Sequence, residues 1–181
     1  MSAARWPRRT VLVLGLSALT VGVTGTQAPA AGTPVRVGDL TFEVPSEVQP
    51  APSVPGVSES WTWQGMSAAT VTGPGMIVLA RADVDSTDAE EVLGLLMAGV
   101  AIGQLPGLLT EAGRTRTVGA GQGDQVRTEL SYQVSRRVRY RGSLLVATRR
   151  QPPAAALVVL GDDTLTAGTV DAVLDSVRWT S

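Results

Sequence analysis

The sequence predicts an α+β fold: an antiparallel sheet covered by two main helices. Runs of β-formers are separated by Gly- and Pro-rich turns at 35–82 and again at 114–160. Two segments, 88–104 and 165–176, place apolar residues at helical spacing instead. Strands grouped with strands, rather than alternating with helices, favour an antiparallel sheet over a parallel one.

The elements follow in order. Ala31–Pro34 reads as a short lead, and Val35–Val37 and Leu40–Val44 form a hairpin around Gly38-Asp39. Leu40, Phe42 and Val44 share one face. Residues 45–55 hold four prolines in eleven positions, which reads as a surface loop. Trp61-Thr62-Trp63 opens a third strand, and 68–71 and 76–82 give two more about a Gly73-Pro74-Gly75 turn. For the 88–104 helix, Thr87 is the expected N-cap with Glu90 at capping-box spacing. Its apolar stripe is read as Val92, Leu95, Leu96, Gly99 and Ile102 or Gly103, and Pro106-Gly107 ends the run.

A meander comes next: 114–118, 125–134, 138–148 and 156–160. A turn at Ser135-Arg136-Arg137 pairs Val134 with Val138, Tyr132 with Tyr140 and Val126 with Val146. That register sets Gln133 beside Arg139 on the outer face and Leu145 opposite Arg127, so the outer face must be partly covered. The terminal helix carries Val170, Val173, Leu174 and Val177 as its stripe.

The first thirty residues read as a secretory signal rather than as fold. Residues 1–9 carry three arginines and no acid, and Val11–Val23 supplies 13 mostly apolar residues. That run is too short to cross about 30 Å of hydrocarbon as a helix. Ala28-Pro29-Ala30 supplies a small-residue exit, which places cleavage after Ala30. Arg8-Arg9 leaves the choice between the general and the twin-arginine export route open. No cysteine stands at the exit to accept lipid, so the expected product is secreted, with no covalent membrane anchor. The chain divides into a signal, 1–30, a short flexible lead, 31–34, and a single domain over 35–181.

Composition limits the chemistry. The chain has no Cys, no His and no Lys; all 15 cations are arginine. Disulfides, thiolates, Ser-His-Asp triads, Ser-Lys dyads and the P-loop lysine are therefore excluded. Removing residues 1–30 takes away three arginines and no acid, which moves the net charge from −1 to −4. An acidic domain is poorly suited to neutralising phosphate along a nucleic acid, so no nucleic-acid partner is expected.

Four groups of residues invite a functional reading. Gly119–Asp124 has G-x-G-x-G spacing with a strand after it, not the G-x-G-x-x-G before a helix that binds dinucleotides, and reads as a hairpin turn. Asp83–Asp88 lacks the Gly and the distal Glu of a calcium loop and reads as acids before a helix, so no metal is expected. Asp162-Asp163 reads as a turn and helix cap, because adjacent carboxylates diverge where glycosidase acids must converge. Trp61 and Trp63, two apart, are read as one strand face and as core. The arginines at 136, 137, 139, 141, 149 and 150 remain, with only Glu129 placed to neutralise them. They are read either as a solvated face or as an anion-binding patch, with Arg137, Arg139, Arg141 and Arg149 as the candidates for contact with a ligand or partner.

The hairpin ending Phe42-Glu43-Val44-Pro45, the mid-chain helix, the basic meander and the terminal Val173–Trp179 run resemble PsbP-like proteins, in particular small exported bacterial members of the LpqN type. The resemblance covers 35–181 and implies an α/β/α sandwich with an accessory or binding role and no catalytic residues. The chain departs from LpqN-type lipoproteins in lacking the lipid-accepting cysteine. The expected function is that of an exported, non-catalytic binding protein without a cofactor, its partner an unknown protein or small molecule outside the cytoplasm. The alternative is a carboxylate-dependent hydrolase of cell-wall glycans.

Overall fold

The computed structural model describes residues 32–70, 73–113, 115–117 and 123–180. Residues 1–30, read above as an export signal, and positions 119–122 of the Gly-rich segment lie outside the described residues. The chain begins with a hairpin, β1 (Thr33–Val37) and β2 (Leu40–Val44), turned by Gly38 at φ 57° and Asp39. Glycine adopts that left-handed backbone without the Cβ clash other residues meet. The strand starts two residues earlier than expected, so Thr33 and Pro34 belong to it and not to a lead.

The 45–55 loop is more structured than its prolines suggest. Gln49–Pro50 forms a short strand, β3, paired with β4 (Trp63–Met66), while Val48 and Val54 are buried. Pro50 is tolerated because β3 is the edge of its sheet. Ala69–Thr70 (β5) pairs with Gly73–Pro74 (β6), so Gly73-Pro74 is a strand and not the expected turn. Then come β7 (Met76–Val84), α1 (Ala89–Ala101), β8 (Leu108–Ala112), β9 (Arg116–Thr117), β10 (Gln125–Gln133), β11 (Arg139–Ala147), β12 (Ala154–Gly161), α2 (Ala167–Asp175) and β13 (Arg178–Trp179).

Eight of the strands form one antiparallel sheet in the order β3-β4-β7-β12-β11-β10-β8, with β9 also on β10. A three-stranded sheet, β1-β2-β13, stands apart from it. The β10–β11 register is the expected one: Tyr132 opposite Tyr140, Val126 opposite Val146 and Leu145 opposite Arg127. Both members of that last pair are buried, so the outer face is covered there.

Two hydrophobic cores result, one on each side of the large sheet. Tyr132, Tyr140, Leu144, Val158 and Leu160 pack with α1 through Val92, Leu93, Leu96 and Val100. Val78, Leu145, Leu157 and Val159 pack with the small sheet and with Val170, Val173, Leu174 and Val177 at α2. The buried stripe of α1 is thus rotated from the expected one: Leu95 is 61% and Ile102 82% exposed, whereas Leu93 and Val100 are buried. Its cap is also one residue later. Asp88 Oδ1 accepts from the Glu90 and Glu91 amides, at 2.9 and 3.1 Å, where Thr87 was expected to cap. A carboxylate at the cap adds charge–dipole stabilisation to the same hydrogen bonds.

The two tryptophans also separate. Trp61 precedes β4 and is buried in the α1-side core, whereas Trp63 packs on the other side, edge-on to Phe42 at 5.5 Å. They share no face, because only Trp63 lies within a strand. Trp61 is core, as expected, and Trp63 is half-buried against its cluster.

Candidate functional site

On β10 and β11 the residues facing α2 change character along the strand. Leu145 and Ala147 belong to the core, but Ser143, Arg141 and Arg139 continue the same face beyond the cover of α2 and the small sheet. Across the pairing lie Glu129, Ser131 and Gln133. β8 extends the face by one more strand, with Glu111 opposite Ser131. Glu111, Ser131 and Arg141 therefore stand in one row across three strands.

The wall beside this row is the approach to α2. Asp162 Oδ1 accepts from the Thr164 amide and hydroxyl, at 3.0 and 2.6 Å, and Thr166 caps α2 by accepting from the Thr169 amide. Asp162 thus makes the expected turn, but the helix cap is Thr166. Leu165 folds back over Gly161, where an added Cβ would lie 2.6 Å from Leu165 Cβ and 2.7 Å from the Gly75 oxygen. Only a residue without a side chain lets the loop close that tightly.

Sheet face and helix start border an open cleft of about 560 Å³, lined among others by Glu111, Arg127, Glu129, Arg139, Arg141 and Ala167. That volume lies within the usual range for small-ligand sites, about 300–1,000 Å³. At its floor Arg127, 7% exposed, donates to Ser143 Oγ at 3.2 Å and pairs with Asp171 at 2.6 Å. Its Nε is buried with no partner among the described residues. The start of α2 adds the partial positive charge of a helix N-terminus to this wall.

Of the expected ligand-contacting residues, Arg139 and Arg141 line the cavity. Arg137 sits in the exposed turn two positions before Arg139 and does not. Arg149 does not line the cavity either. It lies eight residues beyond Arg141, about 26 Å along an extended strand. There it pairs with Asp39 at 2.9 Å and covers the Trp179 ring at 4.8 Å, clamping the β1–β2 turn to the C-terminal strand. Glu111 was missed because β8 was not read as a strand. Arg127 was already placed on this face by the hairpin register, and its burial is the added fact; Ser143 was not singled out.

The ion pairs among the described residues are Arg81–Asp83, Arg127–Asp171 and Arg149–Asp39. None includes Arg139, Arg141, Glu111 or Glu129, so the charges of both signs that line the cavity form no direct ion pair with one another. No group of His, Cys, Asp or Glu among the described residues is arranged to hold a metal ion. No helix among them is long and apolar enough to cross a membrane.

No protein-family model matches the sequence, and no curated protein matches it. Among solved structures, the chain is similar to the cyanobacterial PsbP (CyanoP) of Synechocystis sp. PCC 6803. The TM-score is 0.52 at 17% identity, covering 88% of this chain and 98% of that one. A crystal structure from Bacteroides thetaiotaomicron VPI-5482 matches with a TM-score of 0.51 at 12% identity, over 83% of this chain. This chain spans about half, 49%, of the length of that protein. At such identities the likeness is one of fold: a mixed α/β structure of PsbP-like type, with a large antiparallel sheet and two helices.

Proposed function

We propose that this protein is an exported, non-catalytic binding protein of LpqN-like type, built as a PsbP-like α/β/α sandwich with the large sheet between α1 and α2. Its ligand sits outside the cytoplasm, in the cleft of Arg139 and Arg141. The observation that carries this reading is the pair of unneutralised arginines in a concave site. A merely solvated sheet face does not need a cavity, and arginine forks suit carboxylate or phosphate oxygens. The export signal read in residues 1–30 supplies the location. The absence of His, Cys and Lys from the chain supports binding without transformation, since general acid–base work near neutral pH usually recruits such groups or a carboxylate tuned for it.

The test is retention. Purified protein is incubated with the extracytoplasmic fraction, and bound species are identified by mass spectrometry. Stoichiometric recovery of an unaltered species, lost in the R139Q/R141Q variant, is the expected result. Recovery that is indifferent to that variant refutes the assignment of the site.

A second reading, the carboxylate-dependent hydrolase of cell-wall glycans, draws on Glu111 and Glu129, which line the same cavity. They sit on neighbouring strands as diagonal neighbours on one wall, whereas hydrolytic acids flank the scissile bond from two sides. Turnover of a cell-wall glycan, abolished by E111Q or E129Q, would establish this reading in place of the first.

A further inference from the structure

The cavity holds acids as well as arginines, and their arrangement narrows the ligand. Resting on the binding reading above, we infer that the ligand is a small zwitterion of short-peptide size, its carboxylate on Arg139 and Arg141 and its ammonium on Glu111 and Glu129. Both glutamates lie on β8 and β10 and the two exposed arginines on β11, while the third arginine of the lining, Arg127 on β10, is already paired with Asp171. Neither set is paired with any other residue among those described. A multiply charged anion such as phosphate would meet two carboxylates beside its arginines, and that repulsion offsets much of the attraction. A ligand bearing one charge of each sign satisfies both walls.

Size points the same way. Glu111 and Arg141 occupy one cross-strand row two strand spacings apart, about 10 Å between Cα atoms. An extended dipeptide spans about 7 Å, leaving the side chains of both walls to reach its termini. Arg127, on β10 and held by Ser143 and Asp171, has its charge met by that acid, and the start of α2 adds partial positive charge to the cavity wall.

The test is calorimetric titration of the purified protein with alanyl-alanine, N-acetyl-alanyl-alanine and alanyl-alanine amide. Alanyl-alanine binds, and capping either terminus weakens binding by about ten-fold or more, because one wall then loses its partner. In E111Q/E129Q the acetylated peptide loses its disadvantage, and in R139Q/R141Q the amide loses its own. Both pairs are exposed strand positions, and the wild-type comparison of the three peptides stands without them. Equal binding of alanyl-alanine and its acetylated form overturns the zwitterion inference. If that equal binding still disappears in R139Q/R141Q, the arginine cleft survives as an anion site. No binding of any of the three peptides also overturns the inference, and the retention experiment then decides the broader reading separately.

Discussion

The Arg127 guanidinium pairs with Asp171 Oδ1 at 2.6 Å and so ties β10, at the floor of the cavity, to α2. Arg127 is 8% exposed in its side chain and Asp171 47%, so the cation carries most of the burial. Removing only the acid leaves a buried charge half satisfied by Ser143. We expect D171N to lower stability by about 1–3 kcal/mol, less than a fully buried pair because Asp171 is half solvated. R127M/D171N removes the charge altogether and should recover much of that loss. Urea denaturation of the three proteins measures both; equal stability of D171N and wild type would contradict the role given to the pair.

Gly161 is the position where the α2 wall closes against the sheet. G161A places a methyl group 2.6 Å from Leu165 Cβ and 2.7 Å from a backbone oxygen of Gly75. The loop must move, at a cost of about 1–3 kcal/mol. Thermal melting should show the loss. An unchanged midpoint would mean that the 162–166 loop yields freely.

Tyr132 and Tyr140, paired across β10 and β11, are the two tyrosines of the chain. Burial raises both phenols above their ordinary value, with the Asp162 charge a lesser contribution at Tyr140. The unfolded chain ionises them near pH 10, so their neutral burial contributes stability that is fully present below about pH 10 and lost as pH rises through the folded values. With no Lys or Cys, no other side chain of ordinary pKa titrates between about pH 9 and 12. Ultraviolet difference absorbance should therefore show tyrosinate appearing together with loss of structure. Tyrosinate formed at pH 10 in folded protein would contradict it. Because the Tyr132 hydroxyl has no partner among the described residues, Y132F should match or exceed wild-type stability by up to about 1 kcal/mol and flatten the alkaline limb.

The α1 cap gives a paired prediction. D88A removes the acceptor for two helix amides and should cost about 1 kcal/mol, whereas T87A should be near neutral. Denaturation midpoints of the two variants decide between the caps, and a larger loss for T87A would reverse the assignment.

What was legible in the sequence followed local pattern. The β10–β11 register could be read because alternation left one arrangement that put Val126, Tyr132, Tyr140 and Val146 on a common face. Thr87 and Asp88 are both good caps, and pattern alone does not choose between them. The α1 stripe was misplaced because Leu93 and Leu95 are equally apolar, and tertiary packing selects the buried one. β8, Leu-Leu-Thr-Glu-Ala, has no alternation and contains helix formers, and its pairing with β10 is irregular at Ser131/Tyr132. With β8 unread, Glu111 had no place, and the group read as arginines with Glu129 as their one acid. Arg149 was grouped with Arg139 and Arg141 by charge, yet its partner Asp39 lies 110 positions away in sequence, which no local pattern reveals.

The central claim is that the Arg139–Arg141 cleft binds a ligand and leaves it intact. Amide chemical-shift mapping during titration with alanyl-alanine, with the peptide's own signals followed in the same samples, tests it most directly. Saturable shifts confined to Glu111, Glu129–Ser131, Arg139–Ser143 and the start of α2, absent in R139Q/R141Q, with the peptide unchanged throughout, are the expected result. Shifts elsewhere on the sheet, shifts that persist in the double variant, or release of free alanine would contradict it.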